Sequence, residues 1–121
     1  DDPDQSATND YTTLYNRWTE IFGKNNVYVV YFDEVVSDSW SVFQKICDFL
    51  EVGSPPQTLK KRVANPANVG IKSSIPTELH QYLFSKHRDS MERFAQQMND
   101  NQYPTMWIKN HVARLQDGDK Q

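Results

Sequence analysis

The chain has 121 residues, of which 37% are hydrophobic and 24% charged, a composition typical of one soluble globular domain with a modest core. A formal net charge of -3 excludes the broad basic surface that holds nucleic acid or an anionic membrane, and we expect neither partner. No apolar run approaches the roughly 20 residues that span a bilayer. Cys47 is the single cysteine, which excludes an intramolecular disulfide and is typical of a reducing compartment, so we expect a cytoplasmic protein.

The first element follows a polar start. Residues 1–9 are acidic and lack apolar periodicity, which predicts a disordered end or a linker. Apolar residues then recur at spacings of three and four and predict a helix over Asp10–Phe22, with Asn9 or Asp10 as its cap and Gly23 as its stop. Trp18 lies on the apolar stripe, and we expect it to anchor the core.

An unbroken run of β-branched and aromatic residues, Val27–Phe32, predicts a strand that is buried on both faces. No other segment has comparable β-character. Its unpaired edges would therefore pair with another copy of the chain or with a complementing half. Asp33 and Glu34 follow directly, where α/β enzymes often carry catalytic carboxylates, although a capping and turn role is the favoured interpretation.

The next helix is predicted from about Ser39 to Leu50, with Phe43 as a second core anchor. Cys47 lies on its apolar stripe and is interpreted as a small buried hydrophobe rather than a reactive thiol. Residues 51–57 contain glycine and two prolines and should end regular structure, and residues 59–63 predict a short helical turn.

A loop with a local excess of positive charge comes next. A phosphate or sulfate ester needs cations together with amide and hydroxyl donors from an irregular loop, and this stretch supplies both within about fifteen residues. The alternative is a solvated basic loop that balances the acidic termini. The candidate residues are Lys60, Lys61, Arg62, Asn65, Asn68, Lys72, Ser73 and Ser74.

Two helices are predicted in the remainder of the chain. The longest pattern starts at Pro76 and runs to about Asn99, and a last helix is predicted over Thr105–Leu115, followed by a polar tail over residues 116–121. His80 and His87 are seven residues apart, which is not the i, i+4 spacing of a helical metal site, so we expect no bound metal.

Three consecutive segments together resemble the C-terminal half of sulfotransferases that use 3′-phosphoadenosine 5′-phosphosulfate (PAPS). In that family a tyrosine-bearing helix leads into a strand, an acidic "Y-E-D-L" turn and a helix that ends in "F-L-G". Here Glu51 stands in place of the glycine. The segments are Tyr11-x-x-x-Tyr15-x-Arg17-Trp18-x-x-x-Phe22, Asn26-Val27-Tyr28-Val29-Val30-Tyr31-Phe32-Asp33-Glu34-Val35-Val36-x-Asp38 and Val42-x-x-x-Ile46-x-x-Phe49-Leu50-x-Val52.

This resemblance implies an α/β fold, in which the chain itself is mainly α-helical with one buried strand at about 27–32 and residues 10–115 form a single C-terminal domain. It also implies PAPS or adenosine 3′,5′-bisphosphate as the cofactor. Within the basic loop, the residues expected to face the nucleotide or acceptor pocket are Arg62, Asn68, Lys72 and Ser73, because they form a local set of cations and neutral donors in an otherwise acidic chain.

The family's phosphosulfate-binding loop, its other 3′-phosphate ligands and its catalytic base would all lie upstream of Asp1. We therefore expect no catalytic residue in this chain, and a missing N-terminal half or a second copy as its partner. Joined to such a half, the chain would serve an enzyme that transfers a sulfuryl group to a hydroxyl or an amine. The alternative is a non-catalytic helical module whose exposed aromatic residues, Tyr11, Trp40 and Trp107, bind a partner protein.

Overall fold

A computed structural model describes residues 10–67, 69–71 and 73–118, and within these ranges all regular secondary structure is helical. The helices are α1 (Tyr11–Phe22), α2 (Phe32–Leu50), α3 (Lys60–Ala64), α4 (Thr77–Gln97) and α5 (Tyr103–Gly118). Short 3-10 turns occupy Lys24–Asn26 and Gln57–Leu59. The described residues divide into two compact units, of which one combines residues 10–24 with residues 73–118 and the other is formed by residues 25–67 and 69–71.

The α/β prediction is wrong for the described part of the chain, because it contains no strand. Residues 27–31 have no regular secondary structure, and Phe32 already belongs to α2. A strand is defined by hydrogen bonds to a neighbouring strand, and the described ranges offer none. The run packs on α2 of its own unit instead: Tyr31 is buried, and the Tyr28 ring stacks on Phe49 with 5.2 Å between centroids.

Helix α1 confirms the predicted start and stop. The Asp10 carboxylate caps it by accepting hydrogen bonds from the Thr13 amide and hydroxyl, at 3.3 and 2.9 Å. Burial acts to raise the pKa of Asp10, but these hydrogen bonds and the nearby Arg93 guanidinium outweigh it and leave the pKa below its ordinary value. At the other end Gly23 has a φ of 87° and donates its amide hydrogen to the Thr19 carbonyl.

The first unit is built from α1, α4 and α5, in which α4 packs against both of the other helices. Its core centres on Phe94, whose ring meets Tyr11 edge-on at 5.5 Å and stacks with Trp107 at 6.4 Å. Trp18 is not part of this core. Its side chain is 54% exposed and stacks on Phe22, so the prediction that Trp18 is a core anchor is wrong.

Helices α4 and α5 confirm the two predicted C-terminal helices with shifted ends. The turn between them lies at residues 98–102, and α5 starts at Tyr103 with Pro104 buried in its first turn, where a missing N–H breaks no helical hydrogen bond. The end of α5 approaches the start of α4 closely: a β-carbon at Gly118 would lie 3.0 Å from Thr77 Cγ2.

The second unit is built around α2, which packs against α3. Trp40, Val42 and Cys47 are buried, which confirms the structural interpretation of the cysteine, whereas Phe43 is only half-buried beside Trp40. Asp38 interrupts α2 with non-helical φ and ψ of -155° and 82°, and its carboxylate accepts a hydrogen bond from the Ser41 amide at 3.1 Å. The predicted helix start near Ser39 therefore marks the second segment of α2.

None of the helices in these ranges combines the length and the apolar content that a membrane span requires.

Candidate functional site

The predicted cofactor residues are distributed over both units. Arg62 lies on α3 in the second unit, and its side chain is exposed, as are those of Lys60 and Lys61. Ser73 belongs to the first unit and its side chain is exposed. Asn68 and Lys72 lie outside the described residues. The assignment of these four residues to a phosphate site stays a prediction.

The acidic turn has a structural role in α2. Asp33 and Glu34 occupy the first helical turn, where negative charge opposes the positive end of the helix dipole. Glu34 Oε2 accepts a hydrogen bond from the Tyr31 amide at 3.3 Å, as the third helical residue does in a capping box. The favoured interpretation of this pair, capping rather than catalysis, agrees with this geometry.

The other end of α2 shows an unusual backbone. Glu51 is left-handed, with φ 57° and ψ 35°, and it is the one described residue other than glycine with a positive φ. The Glu51 amide donates to the Asp48 carbonyl at 3.1 Å, and the Val52 amide donates to the Cys47 carbonyl at 3.2 Å. These two bonds form a Schellman motif, in which the left-handed residue is usually glycine because a side chain is strained there.

A pair of histidines joins α4 to α5. His80 Nε2 and His111 Nδ1 are 2.8 Å apart, a hydrogen-bond distance at which one imidazole donates and the other accepts. The His111 ring also stacks on the buried Phe84 at 5.4 Å. Burial, His80 and Arg114 all lower the pKa of His111: burial removes water from the charged ring, and the two neighbours repel its positive charge.

Beside this pair lies an aromatic cavity of about 400 Å³ in the first unit. Phe94 and Trp107 contribute aromatic rings to its lining, and His87, Ser90 and His111 contribute polar side chains. The full lining is Tyr11, Leu83, His87, Ser90, Met91, Phe94, Trp107 and His111. His80 and His87 therefore have different surroundings: His87 lines the cavity, while His80 bonds to a residue that the spacing argument did not consider.

A second, polar groove of about 600 Å³ lies between α1 and the end of α4. Gln97 Nε2 donates a short hydrogen bond of 2.5 Å to Asn16 Oδ1 there, and Glu20, Lys24 and Asp100 add charges of both signs. Mixed charge gives this groove no preference for an anion or a cation. We assign it no ligand.

The described residues contain no cluster of three or more histidine, cysteine or acidic side chains that could hold a metal ion. Comparison of the chain with protein families, with characterised proteins and with solved structures finds no match. The functional argument therefore depends on the residues themselves.

Proposed function

We propose that this chain is the C-terminal portion of a PAPS-dependent sulfotransferase, which transfers a sulfuryl group to a hydroxyl or amine acceptor once an N-terminal half supplies the cofactor-binding loop. By itself the chain is inactive. The strand predicted at 27–32 has no part in this function, since residues 27–31 lack regular secondary structure.

The observation that carries the proposal is the backbone of Glu51. The resemblance aligns Phe49-Leu50-Glu51 with a family "F-L-G" motif, and the aligned glycine falls on the left-handed position of the Schellman motif. A glycine there has a physical reason, since it is the one residue that adopts a positive φ at little cost. Apolar periodicity in α2 would not by itself place a glycine at this residue.

A second support is the order of elements before this position. The family pattern places an acidic turn between an apolar run and a helix, and here Asp33 and Glu34 form the first turn of α2 directly after residues 27–31. Acidic residues suit this turn because they can accept capping hydrogen bonds and because negative charge is favourable at the positive end of the helix dipole. This structural role gives Asp33 and Glu34 no part in the chemical step.

The partner surface that we propose is helical. Trp18, Ile21 and Phe22 are 54%, 67% and 51% exposed at one end of α1, and contiguous exposed apolar side chains are typical of protein-interaction sites. A complementing N-terminal half would cover this face. Because the described ranges hold no strand, this face replaces the strand edge as the proposed contact.

The coding sequence upstream of Asp1 tests the enzyme assignment. We expect a glycine-rich loop with a lysine after a strand there, the element that wraps a 5′-phosphosulfate, and sulfuryl transfer from PAPS by the longer protein. An initiator methionine directly before Asp1 would contradict the proposal.

Cofactor binding by the 121-residue chain is a separate prediction. The backbone donors of the phosphosulfate-binding loop would belong to the upstream half, so adenosine 3′,5′-bisphosphate should bind this chain with a dissociation constant on the order of 1 mM or weaker. In an amide chemical-shift titration the perturbed residues should lie at 60–74 and be lost in Arg62→Gln. The matched control is Arg88→Gln, which removes an exposed arginine that pairs with Glu92 instead. Micromolar binding, or shifts confined to α4 and α5, would show that the cofactor residues are misassigned.

A second candidate function is a helical protein-interaction module, and the same exposed face of α1 favours it. Of the three aromatic residues first expected to form its surface, Tyr11 is 51% exposed, Trp107 is half-buried and Trp40 is buried. The module therefore centres on Trp18 rather than on that set. The upstream sequence separates the two functions, since a module needs no phosphosulfate loop.

A further inference from the structure

We propose that the His80–His111 pair is a pH-sensitive latch, which holds α4 to α5 near neutral pH and releases them when both imidazoles are protonated. This inference is independent of the sulfotransferase assignment. It rests on the 2.8 Å contact between two ring nitrogens on different helices.

The hydrogen bond between the two rings survives the addition of one proton to the neutral pair but not the addition of two. With both rings neutral, one N–H donates to the bare nitrogen of the other, and a single added proton leaves the same bond in a charge-assisted form. With both rings charged, each facing nitrogen carries a hydrogen, so the bond is lost and two positive charges stand 2.8 Å apart between nitrogens. The helices must then separate or the rings must rotate.

Titratable and charged groups lie near the pair on each packed helix. On α5, Arg114 adds a positive charge that acts on His111. On α4, His87 lines the cavity that His111 also lines, and the Arg88 guanidinium lies 5.4 Å from the centre of the Phe84 ring on which His111 stacks. From α1 the cavity receives Tyr11, and Asp10 faces Arg93 rather than the histidines.

The direction of the pH effect follows from the unfolded chain. There His111 takes up its proton near the ordinary pKa of about 6.5, whereas in the folded chain its pKa is lowered. The stabilising contribution is therefore fully present above about pH 6.5 and is lost as the pH falls through the lower folded pKa.

The experiment uses the full chain with a chelator present, so that a bridging metal cannot mimic the latch. We expect the His111 ring signals to titrate below pH 6.5, and amide exchange in α4 and α5, corrected for its intrinsic pH dependence, to accelerate on the order of fivefold between pH 7.5 and 5.5.

Two variants isolate the pair. In His111→Gln an uncharged amide can accept from His80 at every pH, so the acid response of the exchange rates should disappear. His87→Gln removes a neighbouring histidine outside the pair and should keep the response. Titration of His111 at or above pH 6.5 in the unmodified chain, which needs no variant to fold, would overturn the latch, as would an undiminished response in His111→Gln.

Discussion

At the scale of single residues, Glu51 carries the clearest local conflict in the chain. The hydrogen bonds around it form a complete Schellman motif. The Glu51 backbone has a φ of 57°, where residues other than glycine are strained. The motif forms in spite of this strain because its two hydrogen bonds satisfy carbonyl groups at the end of α2 that would otherwise lack partners.

Replacing Glu51 with glycine should stabilise the chain by about 1 kcal/mol, since glycine adopts the left-handed conformation without the side-chain penalty. Chemical denaturation measures the change. Glu51→Ala is the control, because it removes the same charge and keeps a β-carbon, and we expect no comparable gain from it. An equal gain in both variants would assign the effect to charge rather than to backbone conformation.

At the scale of elements, the faces of α1 and α4 differ in what they bury. Apolar periodicity marks a stripe on each helix, but the stripe of α1 contains no buried residue, whereas α4 buries Phe84 and Phe94. Helix α1 contacts α4 through residues such as Tyr11, near its start, and leaves its other end exposed. We therefore expect packing between α4 and α5 to contribute most of the stability of the first unit.

This difference predicts unequal costs of truncation. Phe94→Ala removes a buried ring between Tyr11 and Trp107 and should cost about 3–5 kcal/mol. Trp18→Ala removes a larger but exposed ring and should cost less than about 1 kcal/mol in the isolated chain. Thermal and urea unfolding compare the two. A cost for Trp18→Ala as large as that for Phe94→Ala would mean that this face of α1 is buried in solution.

At the scale of the whole molecule, the described residues expose more large apolar side chains than they bury. Phe32, Ile71 and Val36 are 76%, 97% and 71% exposed, and the buried apolar set is small. Hydrophobic burial is the main favourable term of folding, so a small buried set leaves little to offset chain entropy.

We therefore expect the 121-residue chain to be marginally stable, with a free energy of unfolding of about 5 kcal/mol or less, at the low end for domains. Urea unfolding at pH 7.5 measures this value. A longer protein that includes the proposed N-terminal half should be clearly more stable. A value near 10 kcal/mol for the chain alone would argue against a missing complementary surface.

The candidate site was only partly accessible to sequence reasoning. The local excess of positive charge identifies the basic residues around Arg62 from the sequence, but nothing in the described residues assigns them a ligand. The His80–His111 contact was missed because its members are 31 residues apart and belong to different helices. The one signal was that both lie on predicted neighbouring helices, which does not specify a register between them.

Local chemistry in the sequence determined both ends of α1 and the start of α4. Asp10 caps α1, Gly23 ends it and Pro76 precedes α4, because each of these effects acts within one turn of backbone. Only the tertiary structure decided that residues 27–31 form no strand, that Trp18 is exposed and that His111 meets His80. Strand pairing, burial and ring contacts depend on which distant segments are present to pack, and a local pattern carries no information on that.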